Sequence, residues 1–211
     1  KSGNEIATHS DLHQLAYQQN RKAFAEDLKR SIESLEGISG RKIRAYRAPG
    51  FSLMESNKWV FSELITQGIE IDCSIFPAKR SHGGFANFGQ QEPCWVDVDG
   101  HKLKEFPINV TSMAGLPVIF SGGGYFRLLP DAILAKLWDQ QRYVMTYFHP
   151  RDFDAGQPMI QDLSMIRKFK SYYGLAGALS KLERLMRGRE FIYLVEADQQ
   201  INWEKARTVY L

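Results

Sequence analysis

The sequence predicts an α/β fold, because segments typical of strands and of helices alternate along the chain. A long amphipathic helix is predicted between residues 20 and 36, and short apolar or β-branched runs at residues 69–75 and 144–148 are typical of strands. Strands that alternate with helices usually form a largely parallel sheet or barrel. Functional groups in such folds follow the carboxyl ends of the strands, so a site is expected there.

The first predicted elements are a strand at residues 5–8 and the long helix, with residues 1–3 ending an earlier helix. The long helix ends near Gly37 and Gly40, since glycine is common just after a helix. Its apolar side chains recur at helical spacing and define one buried face; they are Phe24, Leu28, Ile32 and Leu35.

The next elements run to residue 89. A strand is predicted at residues 43–46, and Ser52 with Glu55 has the spacing of a capping box that begins a second helix. A strand at residues 69–75 follows, and the glycine-rich residues 82–89 predict a long loop.

The second half of the chain contains a predicted hairpin. Asp99-Gly100 is a two-residue turn signature between apolar runs at residues 95–98 and 103–106. The remaining predicted elements are a helix at residues 129–141, a buried strand at 144–148, a helix at 175–185 and a strand at 191–195.

Composition limits the classes of function. The 211 residues, 44% of them hydrophobic, suit one soluble globular domain spanning residues 1–211. The net charge of +3 is spread along the sequence, so no nucleic-acid partner is expected, and no apolar stretch is long enough for a transmembrane helix. Cys73 and Cys94 lack metal-site spacing and are predicted as buried thiols, which favours a cytoplasmic location.

Two histidines give the sharpest local signal. His9 and His13 are four residues apart, so on a helical turn both rings would lie on one face and could share a metal ion. They follow a predicted strand, which is where α/β folds place ligands. The alternative is a helix start that carries two surface histidines.

His149 and Arg47 each end another predicted strand. His149 follows an apolar run, and Arg47 precedes Pro49 and Gly50. The structural alternatives are a core histidine bonded to backbone and an arginine in a salt bridge. Three polar signals after three different strands favour a shared site, in which an arginine can supply a fixed positive charge.

These motifs, in this order, resemble the NodB-homology polysaccharide deacetylases, also called carbohydrate esterase family four. The likeness spans most of the chain and rests on GNEIATHSDLH, YRAPGFS, IDCSIFP and YFHP. The segments EFPINV and SGGGYFRLLP resemble a bacterial subgroup associated with exopolysaccharide or cell-surface glycans.

The resemblance implies a distorted (β/α) barrel that binds a divalent metal, usually Zn²⁺, through one aspartate and two histidines. His9 and His13 match those histidines. His149 matches the general acid, Arg47 the residue that orients a basic aspartate, and the backbone N–H near Gly50 the oxyanion donor. Asp72 corresponds to a carboxylate that orients the acid. The implied reaction is hydrolytic deacetylation of N-acetylated sugars in a bacterial glycan.

One family motif is absent from the sequence. An Asp-Asp pair that ends the family's first strand would lie before Lys1, so we expect an N-terminally incomplete domain whose first strand is missing. Asp11 is a poor substitute because it should point to another face of the turn. The alternatives are an inactive glycan-binding or assembly module, and an unrelated metallohydrolase using Glu5, Asp11 or Asp72.

Other residues are candidates for substrate contact. Tyr125 and Arg127 follow a run of three glycines and are predicted to line a glycan groove, as is Pro49, although an equally good interpretation of Tyr125 and Arg127 is packing. His82 lies in the predicted long loop, where a solvated histidine is the favoured interpretation.

Overall fold

The computed structural model of the protein describes residues 4–80 and 83–211, so the predictions for residues 1–3 and for His82 lie outside the described residues. The chain divides into two compact units. The first consists of Lys1–Ile108 with Tyr193–Leu211, and the second of Asn109–Ile192. Among the described helices, none has both the length and the apolar character needed to span a membrane.

The first unit contains a five-stranded mixed sheet. Its strands are β1 (Ala45–Tyr46), β2 (Ile71–Asp72), β3 (Cys94–Val98), β4 (His101–Glu105) and β7 (Thr208–Tyr210). The order across the sheet is β1-β2-β4-β3-β7. The β3–β4 pairing is antiparallel and the other three are parallel, so the structure confirms a largely parallel α/β arrangement.

The hairpin prediction is confirmed. Strands β3 and β4 pair across Asp99 and Gly100, whose φ angles of 53° and 85° are the left-handed values that a tight two-residue turn requires. The backbone N–H of Gly100 also donates to Asp97 Oδ1 at 2.8 Å.

The helices of the first unit are α1 (Arg21–Ser39), α2 (Trp59–Thr66) and α7 (Leu194–Gln200). The prediction for α1 is confirmed at both ends: the Asn20 side chain accepts a hydrogen bond from Ala23 N, and Gly40 ends the helix with φ 64°. The predicted capping box is wrong, because Ser52 Oγ accepts from Ala16 N and does not cap α2.

The second unit has its own elements and core. They are β5 (Thr111–Met113), β6 (Leu116–Val118), α3 (Gly123–Leu128), α4 (Asp131–Asp139), α5 (Met165–Tyr172) and α6 (Leu175–Met186). The helices predicted at residues 129–141 and 175–185 are therefore confirmed as α4 and α6. The core residues of this unit are Phe120, Phe126, Leu129, Leu134, Trp138 and Leu185.

Two strand predictions are wrong. Residues 144–148 make only a single bridge, between Tyr147 and Gly122, because the Asn109 side chain bonds the backbone of Tyr143 and Met145. Residues 191–195 run into helix α7, since a short apolar run alone does not distinguish strand from helix. No prediction from the sequence covered the regular elements α3, α5, β5, β6 and β7.

Candidate active site

The histidine motif forms a loop and not a helical turn. Ser10 and His13 have φ angles of 71° and 55°, which are incompatible with a right-handed helix. The prediction that the two histidines share a helix face is therefore wrong. Their rings nevertheless meet edge to face, with centroids 5.0 Å apart. The loop thus brings two imidazoles together without a helix.

One histidine has a defined tautomer. His9 Nδ1 lies 2.6 Å from the backbone oxygen of Arg47. Because a carbonyl oxygen only accepts, Nδ1 must carry the proton, and Nε2 is then the basic nitrogen of the ring. Histidines that bind metals commonly donate their other N–H to a backbone carbonyl in this way.

Two polar residues of helix α1 hold this loop, and neither was predicted from the sequence. Asp27 is buried, and its carboxylate accepts from Leu12 N at 2.9 Å and from Asp11 N at 3.1 Å. Ser31 Oγ is 2.6 Å from Thr8 Oγ1 in a buried contact. The available signal was their position, because 27 and 31 share the buried helix face with Phe24 and Leu28.

Arg47 links the loop to the sheet. Its backbone N–H donates to Thr8 O at 3.1 Å, next to the isolated parallel bridge that Thr8 forms with Tyr46. Its Nε donates to Cys73 O at 3.1 Å, so the guanidinium spans the ends of two adjacent strands. Only this bridge represents the strand predicted at residues 5–8.

The segment after Arg47 makes a tight turn. Pro49 is buried and begins a 3-10 turn, in which Gly50 and Phe51 have φ angles of 62° and 53°. A Cβ atom on Gly50 would lie 3.1 Å from Leu15 Cδ2, so the position has little room for a side chain. Burial of Pro49 fits a role in shaping the turn better than the predicted substrate contact.

Asp72 lies in a buried pair of carboxyl groups. It faces Glu105 in register across β2 and β4, and neither residue is exposed to solvent. Burial raises the pKa of Asp72, although hydrogen bonds from Glu105 and Ser74 oppose that rise. Burial and the charge of Asp72 raise the pKa of Glu105 well above its ordinary value. One proton shared by the pair would satisfy Asp72 Oδ2 and Glu105 Oε2, which have no other partner among the described residues.

His149 belongs to the second unit, where Asp152 holds it. His149 N donates to Asp152 Oδ2 at 2.9 Å, and the ring Nδ1 lies 3.6 Å from the same oxygen. Asp152 is also bonded to the buried guanidinium of Arg127. Burial alone would raise the pKa of Asp152, but the hydrogen bonds from His149 and Arg127 outweigh it and lower that pKa to about 2. Asp152 is therefore a carboxylate at neutral pH.

Arg127 is buried within the second unit, which does not fit the groove-lining role predicted for it. Its guanidinium donates to Asp152 and to the backbone oxygens of Tyr173, Lys170 and Ser171. A buried arginine with these partners is a positioning residue for Asp152. Neighbouring Tyr125 is half-buried in α3.

The glycine run at the start of α3 allows other backbone segments of the second unit to pack closely against it. A Cβ on Gly122 would lie 1.7 Å from Tyr147 O, and one on Gly124 would lie 2.8 Å from Lys170 O. Packing within the second unit therefore explains these two glycines.

The first unit brings together four of the predicted site residues, His9, His13, Arg47 and Gly50, with Asp72 on the adjacent strand. Two imidazole donors suit a divalent metal such as Zn²⁺. Among residues 4–80 and 83–211, no group of three or more histidine, cysteine, aspartate or glutamate side chains could hold a metal. Glu5, Asp11 and Asp72 bond elsewhere, to Val195 N, Arg30 and Ser74 respectively.

Comparison with known proteins identifies a family. Residues 73–199 match a domain of unknown function, DUF3473. None of the curated proteins compared with the chain matches it. A solved structure described as that of a "putative polysaccharide deacetylase from Mycobacterium smegmatis" matches with a TM-score of 0.58 and 19% identity. The match covers 99% of this chain but 66% of that protein, so the chain spans less than two thirds of its length.

The DUF3473 match covers more than half of the chain, and the structural match extends over nearly all of it. Both agree with the motif resemblance described above, which is thereby confirmed. The chain belongs to the DUF3473 family, and its fold is that of the NodB-type polysaccharide deacetylases.

Proposed function

We propose that the protein takes part in metal-dependent hydrolytic deacetylation of N-acetylated sugars in a bacterial polysaccharide or cell-surface glycan. The observation that carries the proposal is the loop in which His9 and His13 meet, with the Arg47 carbonyl fixing the tautomer of His9. The deacetylase fold of the chain agrees with it. The distorted barrel that the motifs imply belongs to the same proposal.

The proposed metal ligands are the imidazoles of His9 and His13, and Zn²⁺ is the preferred ion because it favours nitrogen donors. When bound, the ion supplies Lewis-acid polarisation of the acetyl carbonyl and lowers the pKa of a water. Asp27 keeps the ligands in place by accepting from the backbone of the intervening residues. The family's third ligand, an aspartate, has no counterpart among the 211 residues.

Around the histidine loop, Arg47 and the turn at Gly50 would shape the site. Arg47 contributes a fixed positive charge, held by Cys73 O, that can orient a carboxylate. The left-handed backbone at Gly50 is suited to present a peptide N–H to a developing oxyanion. Both roles follow the residues' match to the family motif.

His149 is proposed as the general acid. In amide hydrolysis the water oxygen bonds to the acetyl carbon, the C–N bond breaks, and the departing nitrogen takes up a proton, which His149 would donate. Asp152 would stabilise the charged imidazolium, and Arg127 would keep Asp152 in position. The orienting role that the resemblance implies for Asp72 stays a prediction.

A glycan-binding or assembly module without catalysis is the second candidate function. The observation in its favour is the absence of a third metal ligand among the described residues. Such a module would keep the fold and bind the glycan without releasing acetate.

Acetate release from N-acetylglucosamine oligomers tests the proposal. The measurement uses the full-length protein loaded with Zn²⁺, alongside His13→Ala and His149→Ala. His101→Ala is the matched control, since His101 is exposed on β4.

We expect stoichiometric zinc and acetate release in the native protein. His13→Ala should lose both, whereas His149→Ala should keep zinc and lose at least about a hundredfold in kcat. Glycan binding without acetate release by the zinc-loaded native protein would overturn the proposal in favour of the binding module.

A further inference from the structure

Helix α5 in the second unit turns its apolar face toward solvent. Met165 is 79% exposed, Ile166 is 70% exposed and Phe169 is 49% exposed, and Tyr173 follows directly at 48%. Ile166, Phe169 and Tyr173 come one, four and eight residues after Met165. At about 100° of rotation per residue, the four positions span about 100° of the helix circumference, so they lie on one side of the helix. Amphipathic helices normally bury that face, so its exposure needs a reason.

The preceding loop extends the same apolar surface. Met159 and Ile160 are 53% and 51% exposed. The hydroxyl of Tyr172 ties this loop to α5, because it accepts from Ile160 N at 2.9 Å and donates to Pro158 O at 3.1 Å. Loop and helix therefore form one patch, which we call the α5 patch: Met159, Ile160, Met165, Ile166, Phe169 and Tyr173.

The α5 patch cannot turn inward, because the opposite side of the helix is anchored. The buried Arg127 donates to the backbone oxygens of Lys170 and Ser171 at 2.9 and 3.2 Å. Gly124 also lies so close to Lys170 O that a Cβ there would be 2.8 Å away. Rotating α5 to bury the patch would break both hydrogen bonds and leave a buried charge without them.

The patch is flanked by positive charge. Arg167, Lys168 and Lys170 lie on α5 between the apolar residues, and the helix has no acidic residue. The second unit as a whole has eleven basic and seven acidic residues, whereas the first has sixteen basic and seventeen acidic. The positive charge is therefore concentrated in the unit that exposes the apolar surface.

We propose that the α5 patch docks the protein onto an anionic lipid surface. Apolar side chains on a short helix, bordered by lysine and arginine, can enter the boundary between headgroups and acyl chains while the cations contact anionic headgroups. A bilayer matches both features of the patch, the exposed apolar area and the flanking charge. The proposal does not depend on the deacetylase activity.

Vesicle co-sedimentation tests the proposal with the whole chain. The probes are vesicles of phosphatidylcholine alone and of phosphatidylcholine with phosphatidylglycerol. One variant removes apolar area, Ile166→Ser with Phe169→Ser, and another reverses charge, Lys168→Glu with Lys170→Glu. The matched controls are Ile133→Ser with Leu179→Ser, also exposed in the second unit, and Lys22→Glu with Lys58→Glu in the first.

We expect binding to the anionic vesicles only, and weaker binding at high salt. The charge variant should lose about fivefold in partitioning for each lysine, and the apolar variant at least about tenfold, while both controls bind as the wild type does. Equal melting temperatures would show that the variants fold.

Three results of the vesicle experiment would overturn the proposal. They are equal binding to both kinds of vesicle, no binding to either, and undiminished binding by the two α5 variants. Loss of a dimer in those variants, measured by size-exclusion chromatography without vesicles, would assign the patch to a second copy of the chain and not to lipid.

Discussion

Asp72 and Glu105 lie opposite each other on neighbouring parallel strands, and both carboxyl groups are buried. Two ionised carboxylates at such a position would repel each other without solvent to screen them. The pair is therefore expected to carry one proton at neutral pH, and we place it on Glu105 because burial and the charge of Asp72 both raise the pKa of that residue.

The protonated Glu105 makes stability depend on pH. A group with a raised pKa in the folded state contributes its full stabilisation below the unfolded pKa, about 4.3, and loses it as pH rises through the folded pKa. We expect the free energy of unfolding to fall by up to about 1.4 kcal/mol per pH unit in that window. Glu105→Gln, a neutral isostere, should reduce the slope.

Denaturant unfolding across the pH range measures this slope. Glu26→Gln is the control, because Glu26 is exposed on α1. An unchanged slope in Glu105→Gln would mean that Glu105 is ionised in the folded protein.

Asp152 gives the opposite pH dependence. Its pKa is lowered to about 2, so its stabilisation is present above the unfolded pKa, about 3.9, and is lost as pH falls through 2. The expected loss is about 2–3 kcal/mol between those values. In Asp152→Asn the acid dependence from this residue should disappear, while the protein is less stable at neutral pH because Arg127 loses its partner.

Unfolding by urea between pH 2 and pH 7 would check the Asp152 prediction. Asp154→Asn serves as the control, since Asp154 is an exposed aspartate two residues away. Equal acid dependence in Asp152→Asn and the wild type would contradict it.

Asp27→Ala should weaken the histidine loop. The substitution removes both acceptors of the Asp11 and Leu12 N–H groups, and we expect a loss of about 1–3 kcal/mol in the free energy of unfolding. Zinc affinity, measured by isothermal titration, should fall by about tenfold or more. Glu26→Ala on the same helix should change neither quantity.

Gly122→Ala should be destabilising because its Cβ would lie 1.7 Å from Tyr147 O. We expect a cost of about 2–4 kcal/mol in thermal or denaturant unfolding, since backbone must move to accept the methyl group. Gly177→Ala is the matched control. Gly177 lies in α6 with nothing within 4 Å, and alanine there should stabilise by about 0.5–1 kcal/mol. Similar stabilities for the two variants would show that the Gly122 approach can relax.

Elements with a strong local signal were predictable from sequence. Helix α1 has a polar N-cap, a helical apolar spacing and a glycine C-cap, and the β3–β4 hairpin has a turn that requires left-handed φ angles. Each signal acts within a few residues, so no distant contact can easily override it. The short runs at residues 144–148 and 191–195 lacked such signals, and their contacts decided their conformation.

The sequence by itself determined the chemistry available to the site: two histidines near the N-terminus, an arginine before Pro49 and Gly50, and a late histidine before Pro150. Tertiary structure decided how these groups are held. Asp27 supports the histidine loop, and Arg127 holds Asp152 beside His149. Glu105 lies opposite Asp72 on the neighbouring strand. The members of these pairs are 15 to 33 residues apart in the sequence. A sequence pattern, by contrast, predicts contacts only between residues of the same turn or strand. Only the folded chain brings such distant groups within hydrogen-bonding distance.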